Sequence, residues 1–243
     1  MNDYVDACST IGQGKGHESR SADQALGEMD QAGIRKAWIH PADQYLAVRN
    51  REGNDFIADV VASNPERFVG CAVSNSWWGA EAALELRRAF GLGLRVLYLA
   101  PHVQGFHLSD PIVDPLIEVA IEHRAPVYAH TGTPICAMPF QLAALARRHP
   151  SGKFIMGHMG YSDFWYDAAP AAQTANNVWI ETSFIDCDMI LEGVKQLGAE
   201  RFVFGTAAPL GAVIPEMRKV QSLPLSGEEI RKIMRTNAED LLA

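Results

Sequence analysis

The sequence lacks the features that mark several common classes of protein. Its four cysteines, Cys8, Cys71, Cys136 and Cys187, are widely spaced and form no CxxC pair, which argues against a zinc knuckle or a disulfide framework. No apolar run approaches the roughly 18 residues of a membrane span, and no basic segment followed by an apolar one opens the chain. We therefore expect a cytoplasmic protein with reduced thiols and no membrane contact.

The chain also lacks an excess of positive charge. It has 21 lysines and arginines against 29 aspartates and glutamates, which gives a formal net charge of −8. This acidic balance is not typical of a nucleic-acid-binding protein, which carries an excess of basic residues. We expect a small-molecule substrate instead. With 243 residues, 48% of them hydrophobic, the chain has the size of one (β/α)₈ barrel.

Short strand-like runs alternate with helical patterns along the whole sequence. The eight runs cover residues 4–8, 36–40, 67–73, 94–99, 126–130, 153–158, 177–181 and 201–205. An open doubly wound sheet is the competing fold, but no GxGxxG motif follows the first run. The pattern predicts an α/β protein, a (β/α)₈ TIM barrel that forms a single domain over residues 1–243.

Three predicted strands end in histidine. His40, His130 and His158 close strands two, five and six, where a dry barrel interior would favour aliphatic residues. The carboxyl ends of barrel strands meet at one pocket, so we predict that His130 and His158 are catalytic. Glu181 ends strand seven and is a third candidate, as a base or as a partner of a histidine; an ion pair with a wall arginine is the alternative.

Other residues near strand ends are candidates for contact with substrate. The aromatic ones would line an apolar pocket, although helix and loop packing is the alternative for them, and His40 could instead cap its strand. The predicted substrate-binding residues are His40, His102, Trp77, Phe106, Trp165 and Thr206.

Four segments in this order resemble the amidohydrolase-related family of barrels. They are residues 64–70 (NPERFVG), 126–132 (PVYAHTG), 153–160 (KFIMGHMG) and 201–206 (RFVFGT). The family includes amino-carboxymuconate-semialdehyde decarboxylases, hydroxybenzoate-type decarboxylases and lactone hydrolases. The resemblance covers nearly the whole chain and implies a barrel enzyme that acts on a small organic substrate.

The chain departs from this family at its metal site. The resemblance implies a divalent metal, normally zinc, bound by an Asp-x-His-x-His motif after strand one and by an aspartate after strand eight. Here Cys8 and Thr10 replace the two histidines, and Ala207 replaces the aspartate. His130 keeps a ligand position, and His158 is the neighbour that contacts substrate or bound water. We therefore expect no cofactor; zinc bound by Cys8, His130 and His158 is the alternative.

Three hypotheses about function follow. The first is a metal-independent enzyme that hydrolyses, decarboxylates or cyclises a carbonyl- or carboxylate-bearing compound, with His130 and His158 in acid–base roles. The second is a zinc-dependent hydrolase or decarboxylase with an altered ligand set. The third is a ligand-binding protein without turnover. Barrels of this type often dimerise, so a homodimer is a further expectation.

Overall fold

The computed structural model describes residues 3–14 and 19–243. Eight parallel strands form one sheet, in which each strand pairs with the next along the chain. The strands are β1 (Tyr4–Ile11), β2 (Ile34–Pro41), β3 (Phe68–Val73), β4 (Val96–Leu99), β5 (Val127–His130), β6 (Phe154–Gly157), β7 (Val178–Glu181) and β8 (Phe202–Val203). The predicted (β/α)₈ barrel is confirmed.

Helices connect the strands and cover the outside of the barrel. They are α1 (Ala22–Ala32), α2 (Asn50–Ser63), α3 (Ala80–Gly91), α4 (Pro101–Gln104), α5 (Asp114–Glu122), α6 (Pro139–Arg148), α7 (Tyr161–Gln173), α8 (Cys187–Leu197), α9 (Val213–Gln221), α10 (Gly227–Arg231) and α11 (Asn237–Leu241). Ser21 caps α1 and Ser226 caps α10, each through a reciprocal capping box. Among the helices described here, none is long and apolar enough to cross a membrane.

Several boundaries differ from the predicted ones. The strand predicted over 201–205 shortens to Phe202–Val203, because the backbone beyond it bonds to β1 outside a regular ladder. The segment after β4 forms the short helix α4, which Pro101 starts and Gly105 ends in a left-handed conformation. Helix α9 follows strand eight and was not predicted.

Alternate residues of each strand pack into two separate cores. In β4, Leu97 and Leu99 face the helices, whereas Val96 and Tyr98 belong to the cluster inside the barrel. In β5, Tyr128 likewise points inward, where its ring stacks on Tyr98 with centroids 5.3 Å apart. This alternation follows from the pleat of a strand, and it directs polar inward residues toward the barrel axis.

The barrel closes where β1 meets the segment after β8. Ala7 N donates to Phe204 O at 2.9 Å, and Ala207 N donates to Cys8 O at 2.9 Å. The buried carboxylate of Asp6 crosses this seam, because it accepts hydrogen bonds from Thr206 N at 2.9 Å and Thr206 Oγ1 at 2.7 Å. Burial raises the pKa of Asp6 to about 6, so these donors offset a costly desolvation.

Thr206→Val should weaken this seam. The substitution keeps the side-chain shape but leaves Asp6 Oδ2 without the hydroxyl donor, so we expect a loss of about 1–3 kcal/mol in unfolding free energy. Thr182→Val is the matched control, because Thr182 Oγ1 is buried and has no partner among the described residues. Urea unfolding measures both. A Thr206→Val protein as stable as the control variant would contradict the seam's role.

Candidate functional site

A small cavity opens at the carboxyl ends of the strands. Its volume is about 90 Å³, and four of its walls are imidazole rings. Larger clefts lie elsewhere on the surface, but within the described residues this cavity brings the histidines and a thiol together. It is lined by Cys8, Thr10, His40, Asp43, Leu46, Tyr98, His102, His130, His158, Phe184, Ala207 and Leu210.

His158 lies at the floor of this cavity in an unusual backbone conformation. Its φ is +62° and that of Met159 is +48°, a left-handed region that non-glycine residues rarely adopt. The turn is held because His158 N donates to Glu181 Oε2 at 3.0 Å. Gly132 lets the preceding loop approach the turn, since a Cβ there would lie 2.2 Å from Cβ of Tyr161. The hydrogen bond from His158 N and the close approach at Gly132 therefore stabilise a strained turn that places the His158 imidazole at the cavity.

Glu181 is fully buried beneath the cavity and accepts four hydrogen bonds. Its Oε2 accepts from Tyr128 Oη at 2.7 Å, from His158 N at 3.0 Å and from Ser183 Oγ at 2.9 Å. Its Oε1 accepts from Ser183 N at 2.6 Å. Burial raises the pKa of Glu181, while these hydrogen bonds lower it. Glu181 does not line the cavity and holds other groups in place.

Two other histidines lie beside His158: His130 is next to its ring, and His102 is next to His130. The His130 ring centroid lies 4.7 Å from that of His158, and the His102 ring lies 4.0 Å from His130. His130 Nε2 is 3.2 Å from Thr133 Oγ1. His40 stacks on Tyr98 with ring centroids 3.9 Å apart. The cavity is therefore walled by flat, partly polar rings.

Burial keeps these imidazoles neutral. It lowers the pKa of His40 to about 4 and that of His158 to about 3, and it moves the pKa of His130 well below the ordinary value. Among the described lining residues, none is a lysine or an arginine, and Asp43 is a carboxylate. The described lining residues therefore offer no permanent positive charge to an anionic ligand.

Cys8 stands where the sequence resemblance leads us to expect a metal-binding histidine. Cys8 is buried in the barrel interior, and burial moves the pKa of its thiol well above the usual range. The ligand atoms of Cys8, His158 and Glu181 lie within 4.8 Å of one another. Three of the four donors to Glu181 reach Oε2, so Oε1 keeps one acceptor site, and the other candidate ligands are a thiol and imidazoles, which suit zinc better than manganese.

The predicted site residues divide into two groups. His40, His102, His130 and His158 line the cavity together with Cys8. Four other residues predicted to contact substrate do not line this cavity. Trp77 is 60% exposed and donates to Gly105 O, Phe106 lies in the outer core, Trp165 packs against that core, and Thr206 is buried at the seam.

Sequence reasoning missed several residues of the site. Tyr98 and Tyr128 occupy inward positions of β4 and β5, so the alternation of those strands was the available signal. Ser183 follows Glu181 by two residues and bonds to His158 Nδ1 at 2.7 Å, which no local pattern indicates. Phe184 lines the cavity in a left-handed conformation, with φ of +63°.

Known proteins resemble this chain in sequence and in fold. A 2-amino-3-carboxymuconate-6-semialdehyde decarboxylase of Dictyostelium discoideum is 26% identical over 84% of this chain. The chain spans 66% of that relative's length. The 5-carboxyvanillate decarboxylase of Sphingomonas paucimobilis superposes with a TM-score of 0.79 at 17% identity, covering 100% of this chain and 99% of that one.

A second solved structure carries a metal. The dihydroxybenzoic acid decarboxylase of Polaromonas sp. JS666, with bound manganese and 2-nitroresorcinol, superposes with a TM-score of 0.78 at 18% identity, covering 100% of this chain and 97% of that one. At such identities these structures show the fold alone. The model of the amidohydrolase family matches residues 17–243. The resemblance found in the sequence is confirmed: this chain belongs to the amidohydrolase family.

Proposed function

We propose that this protein is a decarboxylase of the amidohydrolase family that acts on a small aromatic carboxylic acid. The observation that carries the proposal is the His158 ring, which Ser183 and Glu181 hold at the floor of a cavity walled by flat rings. The curated relative and the two solved structures described above are decarboxylases, which supports this choice among the reactions of the family.

The reaction needs one proton at a defined carbon. The bond between the ring carbon and the carboxylate breaks, carbon dioxide leaves, and the electron pair stays on the carbon, which takes up a proton. Nδ1 of His158 is bonded to Ser183, so the opposite edge of the ring, with Nε2, is the one available to the cavity. His158 is the group that we assign to carry this proton.

The aromatic walls fit a planar substrate. His40 and Tyr98 form one stacked wall, and Phe184 faces His158 with ring centroids 5.2 Å apart. Offset stacking favours a flat ring between such walls, and it requires no charge. His102 is exposed at the mouth, where it lies beside His130 and where Asp43 adds a carboxylate. The walls therefore select for shape more strongly than for charge.

The carboxylate of such a substrate requires a compensating positive charge. The described lining residues contain no lysine or arginine, so the charge must come from a protonated imidazole or from a bound cation. The expectation of a metal-free site is not supported, because similar structures contain manganese. Of the predicted zinc ligands Cys8, His130 and His158, we propose that Cys8 and His130 would hold the ion, because the available nitrogen of His158, Nε2, is assigned to the proton. A bound cation would neutralise the carboxylate and polarise its oxygens.

His158→Gln should abolish most turnover of an aromatic acid. Loss of a positioned acid–base group lowers kcat by about 10²–10⁴-fold. A panel of hydroxybenzoates and carboxyvanillate, followed by release of carbon dioxide, measures this. His107→Gln is the control, because His107 is exposed and does not line the cavity.

Two outcomes of this assay would refute the proposal. One is a His158→Gln protein with wild-type rates. The other is tight binding of the acids without release of carbon dioxide by the wild-type protein, with either metal supplied, which would favour the ligand-binding alternative.

The altered donor set should change the metal preference. Protein produced with equal zinc and manganese should retain zinc in preference to manganese by elemental analysis, because thiolate and imidazole donors favour zinc. Cys8→Ser should lower the zinc content. Ala207→Asp should raise the manganese content by adding a carboxylate, and φ of +50° at this position suits aspartate better than alanine.

Metal content well below one ion per chain in all of these proteins would contradict the proposed cation site. That result would favour the metal-independent enzyme.

A further inference from the structure

Ser183 lies between the buried carboxylate and the imidazole of the site. Its Oγ is 2.9 Å from Glu181 Oε2 and 2.7 Å from His158 Nδ1. All three side chains are buried, at 0% exposure for Glu181 and Ser183 and 3% for His158. A serine hydroxyl has one hydrogen to donate and two lone pairs to accept with. Which neighbour receives that hydrogen decides the protonation pattern of the imidazole.

The partners of Glu181 decide the direction of these hydrogen bonds. Two of them are backbone N–H groups, of His158 and Ser183, which can only donate. The Tyr128 hydroxyl is a third donor, at 2.7 Å. A carboxylate surrounded in this way is stabilised in its ionised form and has no hydrogen to give. The Ser183 hydroxyl therefore donates to Glu181.

The remaining contact of Ser183 then has one possible direction. With its hydrogen on Glu181, Ser183 Oγ can only accept from His158, so Nδ1 must carry a hydrogen. Nδ1 also lies 3.4 Å from Glu181 Oε2, where an N–H is attracted and a bare lone pair is repelled. Both contacts select the same tautomer of the ring.

We propose that Ser183 is a positioning residue that fixes His158 as the Nδ1–H tautomer and leaves the Nε2 lone pair toward the cavity. The consequence for catalysis rests on the proposed function. A bare Nε2 can take up a proton and return it to the substrate carbon, whereas an Nε2–H could only donate in the neutral state. The cation formed by proton uptake keeps its Nδ1–H on Ser183, next to the Glu181 carboxylate.

The neighbouring hydroxyl supplies a matched comparison. Thr182 is also fully buried, but its Oγ1 has no partner in the described part of the protein. Thr182→Val thus removes a buried hydroxyl without removing a hydrogen bond. Ser183→Ala removes one that bridges Glu181 and His158. If the ring spectrum or kcat differs between the two variants, the difference is due to the lost hydrogen bonds of Ser183, because both variants lose a buried hydroxyl beside β7.

The tautomer can be measured without any substrate. Histidine-ring ¹⁵N spectra of the protein distinguish a bare ring nitrogen from a protonated one, and the His158→Gln protein identifies the signals of His158. We expect Nδ1 protonated and Nε2 bare at neutral pH. Nε2 protonated and Nδ1 bare in the wild-type protein would overturn the proposal, whichever reaction the protein catalyses.

Kinetics of the variants tests the consequence. Ser183→Ala should lower kcat for the aromatic acid about 10- to 100-fold and change KM less than about threefold, because the ring loses orientation and not contact with substrate. Ser183→Thr, which keeps a hydroxyl, should recover part of the loss, and Thr182→Val should match the wild type. A Ser183→Ala protein with the wild-type ring spectrum and kcat would contradict the proposal. The expected spectra without release of carbon dioxide would refute only the proposed function.

Discussion

The carboxylate of Glu181, buried in the barrel wall, is the group on which the rest of the pocket depends. It receives four hydrogen bonds, and through them it fixes the tyrosine of β5, the strained backbone after β6 and the serine after β7. A buried charge is tolerated only when it is satisfied in this way. Three of these bonds reach Oε2 and one reaches Oε1, and they connect the carboxylate to the backbone of His158 and, through Ser183, to its ring.

The proposed chemistry of the cavity depends on the residues that stand at the metal positions expected from the sequence resemblance. Cys8 and Thr10 remove two imidazoles from the end of β1, and Ala207 removes a carboxylate beside the seam, yet four histidines remain around the opening. Their burial leaves them neutral. In the proposed function such a cavity would bind a flat ring through its walls and would need a cation, a proton or a metal ion, to accept a carboxylate.

The fold could be predicted from the sequence because each strand and helix carries its own periodic signal. The positions of His130 and His158 at strand ends also predicted that they meet, since parallel strands of a barrel converge at one face. The aromatic candidates do not line the cavity because they lie in helices and loops, where the direction of a side chain depends on packing. Phe106 turns into the outer core, and Trp77 turns out to solvent.

The role of Glu181 could not be read from the sequence for a related reason. Its four donors come from β5, the turn after β6 and the segment after β7, so the bonds exist only once the barrel closes. The sequence left open whether Glu181 was a base, a histidine partner or part of an ion pair. In the structure the donors to Glu181 are Tyr128, Ser183 and the backbone of His158, and no arginine is among them.

The most direct test of the claim that the pocket depends on the Glu181 carboxylate is the substitution Gly205→Ala, which adds one carbon atom beside that carboxylate. A Cβ at Gly205 would lie 2.3 Å from Glu181 Oε1, whereas a Cβ at Gly27, in α1, would meet nothing within 4 Å. Urea unfolding of Gly205→Ala should show a loss of about 1–3 kcal/mol or more, while Gly27→Ala should gain about 0.5–1 kcal/mol. A Gly205→Ala protein with wild-type stability would show that Glu181 is free to move, and would contradict the account.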